Sequence, residues 1–172
     1  MTSIDPIYRG QTALIVGAAR SGIAAAGFLL ERGARVILTD AKSEDVLATS
    51  LAPLHALAPA SGELICELGG HRAESFRSCD FVVVSPGVPL SLPLFEESRR
   101  AGIPILAEVE LASRHLRGRI LGITGSNGKT TTTTLVTELL SGAGLRAFAA
   151  GNIGSPLISF VTASRPENLY VT

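Results

Sequence analysis

The stretch RILGITGSNGKTT (residues 119–131) runs from a short apolar segment, Arg119–Thr124, through a turn of glycine, serine and asparagine to Lys129 and a threonine-rich helical pattern. Strand, glycine turn and helix start in that order make an anion site. Glycine lets backbone N–H groups turn toward one point, and the positive end of the helix dipole faces the same point. Lys129 can reach the β- and γ-phosphates of a nucleotide there, and the Thr130 hydroxyl can ligate Mg²⁺. Gly125, Ser126, Asn127, Gly128, Lys129, Thr130 and Thr131 are thus the candidate ATP-binding residues, with Lys129 and Thr130 the candidate catalytic pair. A strict Walker pattern wants glycine five places before Gly128, where Ile123 stands.

Working outward, comparable apolar runs recur at Thr12–Val16, Arg35–Thr39, Leu64–Leu68, Phe81–Ser85, Ile103–Ala107, Arg146–Ala150 and Leu169–Thr172, and each, like Arg119–Thr124, reads as a buried strand. Helical patterns lie between several of them. Ser21–Arg32 ends at Arg32-Gly33, and Thr130–Ser141 pairs Leu135 with Leu139 and Val136 with Leu140. Leu51–Pro59, rich in alanine and proline, reads as a surface connection or a short irregular helix. Alternating strands and helices give an α/β class with mainly parallel sheets. The polar stretch Ala112–Gly118 marks a boundary, predicting one domain over 1–112 and a second over 113–172, the latter the truncated start of a phosphate-loop domain that stops within a strand.

The chain has 172 residues, 46% hydrophobic, with fifteen basic and fifteen acidic side chains and no basic cluster, which points to small-molecule partners rather than nucleic acid or a membrane. No signal-type segment or apolar run of membrane length occurs, so a cytoplasmic protein with reduced thiols is expected, Cys66 and Cys79 serving in packing. His55, His71 and His115 show no metal-ligand spacing. Glu108 and Glu110 read as a solvated helix start, and no Ser-His-Asp set can be assembled.

Two further loops follow strands. Gly17-Ala18-Ala19-Arg20-Ser21-Gly22 opens the first helix, and Asp40 ends the second strand, the arrangement of a dinucleotide fold except that Ala19 stands where the middle glycine would let a pyrophosphate approach. Ser85-Pro86-Gly87 forms a rigid turn. Loops that follow parallel strands collect at the carboxyl edge of a sheet, where ligands of open α/β folds bind.

The loop Thr124-Gly125-Ser126-Asn127-Gly128-Lys129-Thr130-Thr131, lacking the first Walker glycine, resembles that of the Mur ligase and folylpolyglutamate synthetase superfamily. Ser85-Pro86-Gly87, Gly17–Gly22 and Gly151-Asn152-Ile153-Gly154 fall in the order found in Mur ligases that add D-glutamate. The resemblance implies a Rossmann-like domain that holds a uridine diphosphate substrate, followed by part of an ATPase domain. It implies that Arg20 and Ser21 face the diphosphate, that Asp40 and Lys42 lie by the uridine, and that Ser85, Pro86, Gly87 and Asn152 contact substrate. The implied reaction uses ATP and Mg²⁺ to join D-glutamate to UDP-N-acetylmuramoyl-L-alanine through an acyl phosphate. A monomer is expected. The resemblance also places further catalytic groups and the D-glutamate-receiving domain past Thr172, so this chain alone is expected not to ligate. Two other readings stay open: another ligase of the superfamily, or a non-catalytic NAD-binding module built on Gly17–Gly22 and Asp40.

Overall fold

The computed structural model describes residues 7–151 and 154–172. The chain divides into two compact units, Met1–Glu108 and Val109–Thr172. The division lies four residues ahead of the boundary expected at 112, at the start of a helix rather than in the polar stretch after it.

In the first unit β1 (Thr12–Val16), β2 (Arg35–Asp40), β3 (Glu63–Leu68), β4 (Phe81–Val84) and β5 (Ile105–Ala107) form one parallel sheet in the order β3-β2-β1-β4-β5. The central β1 pairs with both β2 and β4, and its last four residues are fully buried, which is why its sequence is continuously apolar rather than alternating. On one face Leu14, Val16, Val82 and Val84 pack with Phe76 of α3 (Ala73–Ser78) and Phe95 of α4 (Phe95–Arg100). Those two rings meet edge to face at 5.7 Å. The strand pleat turns Ala13 and Ile15 to the opposite face. α1 (Arg20–Glu31) buries Ala25, Ala26, Leu29 and Leu30 and packs beside α2 (Glu44–Ser61).

α2 corrects one expectation. Leu51–Pro59 is not a surface connection but the second half of an 18-residue helix, and Leu47, Leu51 and Leu54 are its buried stripe. Pro53 misleads because proline removes a rung of the helix, but it sits on the exposed side, where the orphaned carbonyl can reach water.

Cys79, buried in the core beneath β1, has its thiol pushed up from 9.0 to about 11, chiefly by burial. The folded state therefore favours the neutral thiol. Its contribution to stability is intact below pH 9 and is lost as pH rises from there toward 11, on the order of 2 kcal/mol in all. Urea titrations at pH 8 and pH 10.5 should show that loss in the parent chain, and a Cys79→Ala variant should show a smaller one.

The second unit is smaller. β6 (Arg119–Leu121), β7 (Arg146–Ala149) and β8 (Asn168–Val171) form a parallel sheet in the order β6-β8-β7, with α6 (Lys129–Gly142) joining β6 to β7. Phe148, Phe160 and Tyr170 cluster with ring centroids 5.5–5.8 Å apart, and Leu157, Ile158 and Val161 are buried. β6 is an edge strand and all three of its residues are exposed, against the expectation of a buried strand. Leu135 and Leu139, the helical pair read from the sequence, are 54% and 64% exposed. A short helix, α5 (Glu108–Ser113), spans the division between units. Glu108 at its start is 1% exposed, so it is a buried carboxylate and not the solvated helix start expected. Among the described residues no helix is long and apolar enough to cross a membrane.

Candidate functional site

The order β3-β2-β1-β4-β5 reverses direction between β1 and β4, and the crevice above such a switch point is where open α/β sheets take ligands. Two loops singled out from the sequence meet there. The Ser85 hydroxyl donates to the Gly17 carbonyl at 2.8 Å, across a sequence separation of 68 residues. Ser85 is buried while Pro86 and Gly87 are exposed. The serine of this turn thus braces the glycine loop, and the proline and glycine face solvent.

Asp40, at the end of β2, braces the same loop from the other side. One carboxylate oxygen accepts the Ala18 N–H at 2.7 Å and the other accepts the Lys42 N–H at 2.9 Å. Gly22 sits so close to the loop that a Cβ there would collide with the Gly17 carbonyl oxygen and lie 2.5 Å from the Ser85 hydroxyl. Arg20 and Lys42 are exposed at the two rims, whereas Ser21 is buried at the start of α1. The structure thus brings Gly17–Gly22, Asp40, Lys42 and Ser85–Gly87 together around one crevice. Asn152 lies outside the described residues.

The sequence reading missed a neighbouring cavity of about 520 Å³, lined by Ser43, Glu44, Cys66, Glu67, His71 and Arg72 among others. One Glu67 oxygen accepts the Ser75 hydroxyl at 2.7 Å, and the other is buried with no hydrogen-bond partner among the described residues. His71 bonds Thr39 through Nδ1 at 2.9 Å and meets Phe76 edge to face. No single motif marks this cavity, because two turns after β2 and β3 build it. Cys66 on its wall has its thiol pushed up by burial.

In the second unit the loop expected to bind phosphate joins β6 to α6. Gly128 is the N-cap of α6 and adopts the left-handed conformation (φ 76°, ψ 0°), which a side chain would disfavour. Residues 124–131 are exposed. The Lys129 ammonium donates to the Gly125 carbonyl at 2.6 Å, so the cation already lies over the loop. No acidic residue occupies the first turn of this 14-residue helix, leaving its positive end open to an anion. The exposed residues 124–131, an unopposed helix start and one ammonium fit a polyphosphate, and the exposed Thr130 hydroxyl fits a cation carried on it.

Residues 11–107 match the family described as Mur ligase MurD-like, N-terminal domain. The chain belongs to the MurD-like Mur ligase family. The match covers the whole five-stranded sheet. A protein of Koribacter versatilis (strain Ellin345) named UDP-N-acetylmuramoylalanine--D-glutamate ligase is 43% identical over 159 residues, which is 92% of this chain and 34% of the relative. A protein of the same name from Geobacter metallireducens is 48% identical over 152 residues, 88% of this chain and 32% of the relative. This MurD-like chain therefore spans about a third of the length of the relatives it matches. Among solved structures, a pseudomurein peptide ligase type C from Methanothermus fervidus covers 95% of the chain at a TM-score of 0.52 and 19% identity. A UDP-N-acetylmuramate:L-alanyl-gamma-D-glutamyl-meso-diaminopimelate ligase from Neisseria meningitides covers 94% at 0.52 and 22% identity. The Mur ligase fold is thus shared by chains of low sequence identity.

Proposed function

We propose that the MurD-like unit holds the uridine diphosphate end of UDP-N-acetylmuramoyl-L-alanine, and that the second unit holds ATP at residues 125–131, for ligation of D-glutamate. The observation that carries the first half is the brace of Asp40 and Ser85 on the glycine loop at the sheet's switch point. The exposed Arg20 and Lys42 supply cations at the rim for a diphosphate, and Pro86 and Gly87 form the far wall. The names of the relatives support the choice of substrate.

For the second half, Lys129 and the N–H groups of residues 125–131 lie where charge grows on a transferring phosphoryl group, and stabilising that charge is the principal work of such a loop. Mg²⁺ bound with the nucleotide would neutralise phosphate charge, with the Thr130 hydroxyl as its ligand from this chain. A carboxylate becomes an electrophile as its acyl phosphate, which the amine of D-glutamate attacks with loss of phosphate. Asn152, in the Gly151–Gly154 segment, is proposed to contact the muramoyl group. A cytoplasmic setting, a monomeric state and domain limits near 1–112 and 113–172 belong to the same reading.

Calorimetry on this chain tests it. UDP-N-acetylmuramoyl-L-alanine should bind and NAD⁺ should not, and Lys42→Ala should weaken the former by about tenfold, the value of one lost charge-assisted contact. Tight NAD⁺ binding with no response to the sugar nucleotide would favour a dinucleotide module instead.

A further inference from the structure

We propose that Thr172 is a positioning residue that couples the phosphate loop to the turn at Gly151, a step beyond the ATP-loop reading that rests on it. β8 is the middle strand of its sheet, so its end lies between the ends of β6 and β7. On the β6 side, the Thr172 N–H donates to the Leu121 carbonyl at 3.0 Å, and the Thr172 carbonyl accepts the Ile123 N–H at 2.6 Å. These two bonds hold the backbone that enters the loop at Gly125.

On the β7 side, the Ala150 N–H donates to the Val171 carbonyl at 2.9 Å, and the Gly151 N–H to the Ser155 carbonyl at 2.9 Å. Gly151 has φ +93°, and a Cβ on it would collide with the Thr172 hydroxyl. The Thr172 side chain therefore fills the space that a side chain at 151 would need. Gly154 is close as well, a Cβ there lying 3.0 Å from the Ala149 carbonyl. Thr172 thus bonds the exit of β6 through its backbone and meets the exit of β7 through its side chain. A packed group between two hydrogen-bonded segments transmits displacement rather than absorbing it. The turn that carries the proposed muramoyl contact and the loop that carries the nucleotide thus share a common support.

Amide spectra of the nitrogen-labelled chain, with and without MgATP, give the test. Thr172→Ser keeps the hydroxyl beside Gly151 and should leave the spectrum and MgATP affinity close to those of the parent. Thr172→Leu adds bulk against Gly151. It should move the amide signals of Gly125, Gly128 and Lys129 as well as those of Gly151 and Ser155, and weaken MgATP by about tenfold, as small misplacements remote from a bound group do. Thr172→Ala, which removes the wedge without adding bulk, should move the same two sets of signals if the leucine variant fails to fold. Signals that shift only at 151 and 155, with the loop and MgATP affinity unchanged, would overturn the coupling. A parent chain that shows no response to MgATP would instead overturn the ATP-loop reading on which the coupling's role depends.

Discussion

Gly22→Ala should destabilise the first unit by about 3 kcal/mol or more and abolish binding of the sugar nucleotide. The added methyl would collide with the Gly17 carbonyl oxygen and press on the Ser85 hydroxyl, and the colliding group is backbone, so no rotamer change relieves it. α1 would have to move away from β1, which breaks the Ser85 bond to Gly17 and pulls Ala18 from Asp40. Gly27, in the same helix, is the control. A Cβ there meets only Leu54 at 3.6 Å and Leu57 at 3.9 Å, ordinary contact distances. Gly27→Ala should therefore stabilise, by roughly 0.5–1 kcal/mol, because alanine loses less entropy in a helix. Urea unfolding of the two variants should move in opposite directions. Equal effects would mean that the loop does not press on α1 as described.

Lys129→Ala should leave stability within about 0.5 kcal/mol of the parent, since its side chain is exposed and bonds the Gly125 carbonyl of its own loop. In a full-length ligase carrying these residues, phosphoryl transfer to the substrate carboxylate should fall on the order of 10³-fold, the scale of losing a preorganised charge at a transferring phosphoryl group. Positional exchange of the ATP phosphate oxygens reports that step apart from amide formation. Unchanged exchange would remove Lys129 from the chemistry, whereas loss of exchange with unchanged binding of the sugar nucleotide would place its effect in the second unit alone.

The eight strands of the described residues were legible in the sequence because each run is short, mainly apolar and bounded by turn residues, as in Thr12–Val16 and Phe81–Val84. What the local pattern could not show is which side of an element meets a partner. Pro53 hid α2, since its exposed position is a property of the packed helix and not of the dipeptide around it. Arg119–Leu121 reads as a buried strand from composition, but its burial depends on what lies beside an edge strand. Glu108 reads as solvated by its charge and is enclosed at the end of β5 instead. The loops after β1 and β4 were legible as neighbours because a parallel sheet sends such loops to one edge. The brace within that edge was not: Ser85 reads as a ligand donor, and only the approach of β4 to β1 shows its hydroxyl spent on Gly17.

The brace also sets an order of events as the chain folds. The Gly17–Ala18 turn is held by side chains 22 and 68 residues further along, so no local segment can stabilise it in advance. β2 must dock on β1 before Ala18 gains its acceptor, and β4 must dock before Ser85 can bond Gly17. Protection of the Ser85 amide against hydrogen exchange, which donates to the Val16 carbonyl at 3.0 Å, should therefore arise late in refolding, in step with β4. Recovery of sugar-nucleotide affinity should follow the same time course, making ligand binding a reporter of the last step of sheet assembly.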